Sequence, residues 1–179
     1  MNYQNILDFW FDPETQPLWF EKSDDFDALI NQKFHDIHQQ AAQAELWSWR
    51  NTAEGRLAEI IVLDQFSRNL FRDQAQAFAQ DALALALAQE VISLDLDKQL
   101  NPLQRAFLYM PFMHSESKLI HEFALKLFQR LGNPMNLDYE KKHKVIIDRF
   151  GRYPHRNQIL ARNSTAEELE FLTQPNSSF

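Results

Sequence analysis

The sequence predicts an all-α protein of about seven to nine helices, and three of its features indicate this fold class. Glycine occurs only 3 times in 179 residues, where average usage would give about a dozen. Valine and threonine are also scarce. Because β-hairpins need glycine in their turns and strands favour β-branched residues, a sheet is disfavoured. Apolar residues recur instead at the spacing of helices.

An amphipathic helix is predicted to begin at Ser23, and a later helix is predicted to begin at Thr52, since each of these residues can cap a helix. After Ser23, acids occupy the first turn and apolar residues recur every three or four positions. The helix after Thr52 is apolar over most of its circumference, which predicts a central position in the fold. Residues 74–94 form an Ala-Leu-rich stretch of high helix propensity and are also predicted to be helical.

A further helix is predicted to start at Asn101 and Pro102, because a capping residue followed by proline is typical of a helix start. Pro111 is expected to end or kink this helix, since proline lacks the N–H that the helix needs. The next helix follows Ser115 and closes at Gly132. Connections this short imply antiparallel helical hairpins stacked side by side.

The C-terminal part contains one more predicted helix, over residues 138–150, and a last short one. Ser164 and Glu167 have the spacing of a capping box in front of that last helix. The tail, residues 173–179, is expected to be frayed. A chain of 179 residues fits one domain of ordinary size, so residues 1–179 are expected to form a single helical domain.

The composition excludes several classes of function. The chain contains no cysteine, which excludes disulfides, thiolate zinc sites and cysteine nucleophiles. Its net charge of −7 argues against general attraction to nucleic acid or to an anionic membrane. Residues 1–11 lack the basic start of a signal peptide, and no apolar run approaches the ~18 residues of a membrane span. We therefore expect a cytoplasmic protein without a cofactor, a nucleic-acid partner or a membrane partner.

Asp64 and Arg68 interrupt an apolar stripe of the helix that follows Thr52. They lie one turn apart and can form an ion pair, and Asn69 and Arg72 extend the polar group towards the end of the helix. The favoured interpretation is a buried ion pair that fixes the helix register. The alternative is a ligand site.

A second polar group begins at His114 and continues with Glu116, Lys118, His121 and Glu122. If the segment is helical from His114 onward, His114 and Glu116 point about 200° apart and cannot bind one metal ion together. If Ser115 caps the helix instead, His114 lies outside it and that objection fails. We interpret this group as a solvated face or as histidines with structural partners, and we expect no metal site.

Positive charge is concentrated in one short stretch of this acidic chain. Fourteen consecutive residues contain no acid but include Arg149, Arg152, His155, Arg156 and Arg162. A turn at Gly151 and Pro154 would present guanidinium groups to a carboxylate or a phosphate. An alternative of equal weight is that these arginines bind helix carbonyls and internal acids and so hold the fold together.

One motif spans ten consecutive residues, Leu63-Asp64-Gln65-Phe66-Ser67-Arg68-Asn69-Leu70-Phe71-Arg72. Others lie before and after it, namely Trp19-Phe20 with Phe26-Asp27, Phe78-Ala79-Gln80-Asp81, Phe112-Met113-His114-Ser115-Glu116, Asp148-Arg149-Phe150-Gly151-Arg152-Tyr153-Pro154-His155-Arg156-Asn157, and Ser164-Thr165 with Glu167-Glu168. In these motifs the chain resembles, over nearly its whole length, a bacterial family known as domain of unknown function number 924.

The resemblance implies a tetratricopeptide-like fold, which is a right-handed superhelix of stacked antiparallel helical hairpins around a concave surface. It implies no particular activity. Two positions depart from the family pattern, since Ala161 replaces an expected glycine and Ala166 replaces an expected proline. The turn near these residues is therefore expected to be less rigid than in the family.

The polar groups coincide with the motifs, which suggests one pocket in the concave face. Its candidate residues are Asp64, Arg68, Asn69, Arg72, His114, Glu116, Arg149, Arg152, His155, Arg156 and Asn157. We expect a binding module whose pocket holds a small anion or an acidic peptide. One alternative is a hydrolase-like enzyme that acts on a phosphate or acyl compound, with His114 or His155 as acid or base. Another is a structural scaffold or a homodimer in which the motif charges serve folding.

Overall fold

The computed structural model describes residues 1–175 and 177–178, so Asn176 and Phe179 of the predicted frayed tail lie outside it. The described residues form eight α-helices and no strand, which confirms the all-α prediction. The helices are α1 (Tyr3–Trp10), α2 (Asp24–Ala42), α3 (Ala53–Ile61), α4 (Asp81–Ser93), α5 (Pro102–Met113), α6 (Lys118–Leu131), α7 (Pro134–Phe150) and α8 (Ala166–Phe171).

Helix α3 continues without a break beyond Ile61. It passes through a π-helical turn, Val62–Phe66, and ends with one α-helical turn, Ser67–Leu70. Short 3-10 helices fill other connections, at Gln16–Leu18, Trp47–Asn51, Ala75–Phe78, Leu96–Gln99 and Pro154–Arg156.

Several predicted helix ends are confirmed by their capping contacts. Ser23, Thr52 and Asn101 each accept a hydrogen bond from the backbone N–H three residues later. Gly132 ends α6 with φ 77°, a left-handed conformation that costs glycine little. These ends depend on residues close in sequence, which is why the sequence predicts them.

Of the two expectations for Pro111, that it ends or that it kinks its helix, the first is wrong. Helix α5 continues to Met113, and residues 106–113 are all buried. Burial of this segment offsets the ~3 kcal/mol that an interior proline costs. The following helix, α6, is capped by Ser117 and not by Ser115, because the Ser117 side chain accepts a hydrogen bond from the backbone N–H of Ile120.

Two predicted helices have different limits in the structure. Residues 74–94 are divided into the 3-10 helix Ala75–Phe78 and α4. Tertiary contacts of this stretch override its uniform helix propensity. The helix predicted at residues 138–150 starts earlier, at Pro134, after the cap Asn133.

The last helix begins one residue later than its predicted capping box. Thr165 and Glu168 form the box in place of Ser164 and Glu167. Glu168 is only 2% exposed and forms an ion pair with Arg152 at 2.6 Å. This long-range contact selects one of two adjacent boxes with the same spacing.

Helix α3 lies at the centre of the protein, as its apolar surface predicts. Residues 57–63 are at most 1% exposed, and α3 packs against α1, α2, α4 and α5. Helix α6 packs against both α5 and α7, and the ring contact of Phe150 with Phe171 joins α7 to α8. Among the described residues, none of these helices is both long enough and apolar enough to cross a membrane.

Candidate functional site

The π-helical turn of α3 places an acidic side chain inside the protein. Such turns are rare and frequently occur at functional sites, and this one contains Asp64, whose side chain is 1% exposed. The Asp64 carboxylate accepts a hydrogen bond from His114 Nδ1 at 2.7 Å and lies 3.3 Å from Arg68 Nη1. Burial alone would raise the pKa of Asp64, but the contacts with His114 and Arg68 hold it well below its usual range. Asp64 is therefore ionised at neutral pH.

His114 caps the C-terminal end of α5 and so lies outside α6. Burial lowers the pKa of His114, an effect that the Asp64 charge opposes, and the ring is neutral at pH 7. Because an ionised carboxylate only accepts hydrogen bonds, the imidazole proton is on Nδ1. No hydrogen bond from the described residues reaches Nε2, and the side chain is 15% exposed. His114 Nε2 is thus oriented as a free proton acceptor.

Two arginines from distant parts of the chain hold one carboxylate beside this pair. Arg68 donates to both oxygens of Asp81, at 3.0 and 3.2 Å, and Arg156 donates to Asp81 Oδ2 at 3.2 Å. The Arg156 guanidinium lies 4.5 Å from the ring centroids of both Phe78 and Tyr153, and Arg68 lies 5.7 Å from Phe78. We name Arg68 and Arg156 the arginine clamp.

Arg156 is the more deeply placed member of the clamp. It is only 6% exposed, and its Nε is buried without a hydrogen-bond partner among the described residues. Burial and the nearby charge of Arg68 lower the pKa of Arg156, but an arginine in a protein keeps its charge. An unpartnered donor on a buried cation is costly, which makes this group a candidate for contact with a ligand.

Glu116 anchors the loop that carries Arg156. Its carboxylate accepts from Arg162 at 2.6 and 2.9 Å and from the backbone N–H of Tyr153 at 2.7 Å. Burial would raise the pKa of Glu116, but Arg162 and the Tyr153 amide lower it. The Tyr153 hydroxyl donates to the Met113 carbonyl, so the loop is joined to the end of α5 where His114 lies.

His155 and Asn157 flank Arg156 in this loop. Burial, followed by the charge of Arg156, lowers the pKa of His155 to about 4. Its Nδ1 is buried and has no partner in the described part of the chain. Asn157 donates to Ser164 Oγ at 3.0 Å and accepts from Arg162 Nε at 3.0 Å, which makes it a residue that holds the loop in place.

Four other candidates contact acids away from the clamp. Asn69 and Arg72 both donate to Asp27 of α2. Arg149 pairs with Glu167 at 2.8 Å on the surface. Arg152 binds both oxygens of Glu168, at 2.6 and 2.8 Å. The structure therefore brings Asp64, Arg68, His114 and Arg156 together with the Glu116 anchor, and it places these four elsewhere.

Sequence reasoning missed Asp81, Phe78 and Tyr153 as site residues. The available signal was the Phe78-Ala79-Gln80-Asp81 motif, which puts an acid and an aromatic ring three residues apart. Their partners Arg68 and Arg156 lie 13 and 75 residues away from Asp81, so spacing alone does not pair them. No group of three or more potential metal-binding side chains occurs among the residues that the structure describes.

Comparison with known proteins agrees with the motifs. A solved structure described as a protein of unknown function from Agrobacterium tumefaciens is similar over 95% of this chain and 96% of its own, with 40% sequence identity and a TM-score of 0.88. No curated protein matches the chain. The family model described as bacterial protein of unknown function (DUF924) matches residues 6–176. The chain therefore belongs to the DUF924 family.

Proposed function

We propose that the protein is a binding module for a small anion or an acidic peptide terminus, held by the arginine clamp and by His114. The observation that carries this proposal is the clamp itself, in which two guanidiniums converge on one carboxylate. Arg156 adds a buried Nε without a partner in the described residues, and His114 adds Nε2, which accepts no hydrogen bond from those residues. Arginine forks recognise planar anions through several N–H donors at once.

We also propose the wider setting of this site. The helices stack as a tetratricopeptide-like, right-handed superhelix in a single domain, residues 1–179, with the site on its concave face. The sequential packing of α5, α6 and α7 supports this arrangement. The protein is proposed to be cytoplasmic, and its net charge of −7 disfavours nucleic acid as a partner.

The test is thermal unfolding of the wild type and two matched variants with acetate, phosphate and a short acidic peptide. Arg156→Gln removes a clamp arginine, whereas Arg72→Gln removes an arginine that binds Asp27 instead. Ligand at about 100 times its Kd adds about 2.7 kcal/mol to stability. We expect the resulting rise in Tm in the wild type and in Arg72→Gln, and its loss in Arg156→Gln.

The control separates binding from folding. If no anion raises Tm and both variants are equally destabilised, the arginines serve the fold, and the scaffold or homodimer role takes precedence. Sedimentation of the wild type then distinguishes a monomer from a homodimer. If a Tm rise persists in Arg156→Gln, the anion binds elsewhere and the clamp is not the site.

A second candidate function is hydrolysis of a phosphate or acyl compound, with His114 as the general base. The specific observation in its favour is the Asp64–His114 contact of 2.7 Å, because a buried carboxylate on Nδ1 fixes the tautomer that leaves Nε2 free to accept a proton. Arg68 would stabilise the negative charge that develops on the substrate. His155 is the other candidate acid or base.

Kinetics of purified variants on phosphate and acyl esters test this role. His114→Gln is expected to abolish hydrolysis, and His35→Gln, which alters a histidine on α2, is expected to leave it unchanged. Because burial lowers the pKa of His114, activity should persist below pH 6.5 and fall only as the ring becomes protonated. Equal activity in His114→Gln and the wild type rules out His114 as the base.

A further inference from the structure

The arginine clamp already contains a carboxylate, and that carboxylate belongs to the protein. Arg68 binds Asp81 through two N–H groups, one to each oxygen, and Arg156 adds a third donor to Oδ2. This is the fork geometry in which a guanidinium recognises any carboxylate. The contacts therefore show what kind of anion these two arginines are arranged to hold.

Asp81 is held less firmly than comparable acids of the chain. Its contacts with the clamp are 3.0 to 3.2 Å long, whereas Glu168 and Glu116 bind their arginines at 2.6 to 2.9 Å. Its side chain is 17% exposed, against 1% for Asp64. Asp81 is the first residue of α4 and follows a largely exposed connection, so solvent can reach it.

The charges around the clamp disfavour the binding of a further anion beside Asp81. Two arginines already face two carboxylates of the protein, Asp64 and Asp81. A ligand carboxylate added to this set would create an excess negative charge next to Asp81, which is unfavourable in a partly buried site. Asp64 is fixed by His114 and its own burial, so Asp81 is the acid that can leave.

We propose that Asp81 occupies the position of the ligand's own carboxylate, so that the ligand is a carboxylate compound that displaces Asp81 from Arg68 and Arg156. This inference rests on the proposed anion-binding function and names its ligand class. Displacement of Asp81 keeps the charge of the site unchanged. The ligand gains the three N–H donors that Asp81 gives up.

The experiment measures acetate binding by calorimetry in the wild type, Asp81→Ala and Asp81→Asn, with sodium chloride at matched ionic strength as the blank. Removal of the internal competitor is expected to tighten acetate binding about tenfold in both variants. Asp27→Ala is the matched control, because Asp27 also binds an arginine through two contacts and is 15% exposed. Asp27→Ala frees one guanidinium instead of two, and we expect its affinity for acetate to rise less than twofold.

The outcomes separate this inference from the function on which it rests. Acetate that binds the wild type and Asp81→Ala equally, but not Arg156→Gln, would leave the anion site standing and reject the role of Asp81. Absence of acetate binding in every variant would reject both. Phosphate that binds Asp81→Ala more tightly than acetate would overturn the carboxylate class. If Asp81→Ala does not fold, Asp81→Asn keeps the side-chain volume, and an unchanged acetate affinity there also rejects the inference.

Discussion

Replacement of Ala161 by glycine should stabilise the protein. Ala161 has φ 52°, in the left-handed region. It lies in a Schellman motif, because the Arg162 N–H bonds the Asn157 carbonyl at 2.8 Å and the Ala161 N–H bonds the Gln158 carbonyl at 3.2 Å. The position after such a helical turn usually carries glycine, since a Cβ is disfavoured there.

The expected gain follows from two opposing effects. A left-handed conformation costs a residue with a Cβ roughly 1–2 kcal/mol, which glycine avoids. Glycine also gives the unfolded chain more freedom, which costs about 0.4–1 kcal/mol. The net gain in the free energy of unfolding is about 0.5–1 kcal/mol, and for a chain of this size Tm should rise by about 1–4 °C.

Urea unfolding at pH 7 measures this difference. Ala44 provides an independent copy of the geometry, with φ 57° and the same pair of bonds, from Ala44 N–H to Ala41 and from Glu45 N–H to Gln40. Ala44→Gly should therefore gain a similar amount. Ala86→Gly, at an exposed position inside α4, should instead lose about 1 kcal/mol. A loss of stability in both Ala161→Gly and Ala44→Gly would refute the reasoning.

Three further predictions concern the last helix and the buried charges. Ala166→Pro should add about 0.4–1 kcal/mol to stability in urea unfolding, because residue 166 is the first of α8 and its N–H makes no hydrogen bond within the described residues. Asp64→Asn should cost about 1–3 kcal/mol, since Arg68 keeps its contacts with Asp81 but both Arg68 and His114 lose a buried charged partner, and a titration followed by NMR should show a still lower pKa for His114. Glu168, whose pKa the Arg152 fork lowers to about 2 from 4.5, should contribute stability that is fully present above pH 4.5 and lost as the pH falls towards 2. Acid unfolding curves of Glu168→Gln should lack that loss.

Local signals in the sequence account for the helices, and long-range contacts account for what the sequence could not predict. The caps at Ser23 and Asn101 act on N–H groups three residues away, so the pattern alone is sufficient. Thr165 caps the last helix in place of Ser164 because Glu168, its partner in the capping box, is bound by Arg152, which lies 16 residues earlier in the chain. Pro111 stays inside its helix because of packing that no local rule contains.

The candidate site divides in the same way. Asp64 and Arg68 lie one helical turn apart in the sequence, so their ion pair was predictable. The contact of Asp64 with His114 joins residues 50 positions apart, and only the folded helices bring them together. The sequence left two roles open for the basic stretch, an anion pocket or contacts with internal acids. The structure pairs Arg149 with Glu167 and Arg152 with Glu168, partners that spacing alone did not identify.

The π-helical turn at Val62–Phe66 makes the site sensitive to chain length as well as to composition. A π turn contains one more residue than an α turn, and each residue of a helix rotates the next by about 100°. Deletion of a single residue there would produce a more regular helix, yet it would swing Arg68 away from Asp81 and Asn69 away from Asp27. Two homologous sequences that match in every other motif but differ in length by one residue in this segment would therefore present different surfaces.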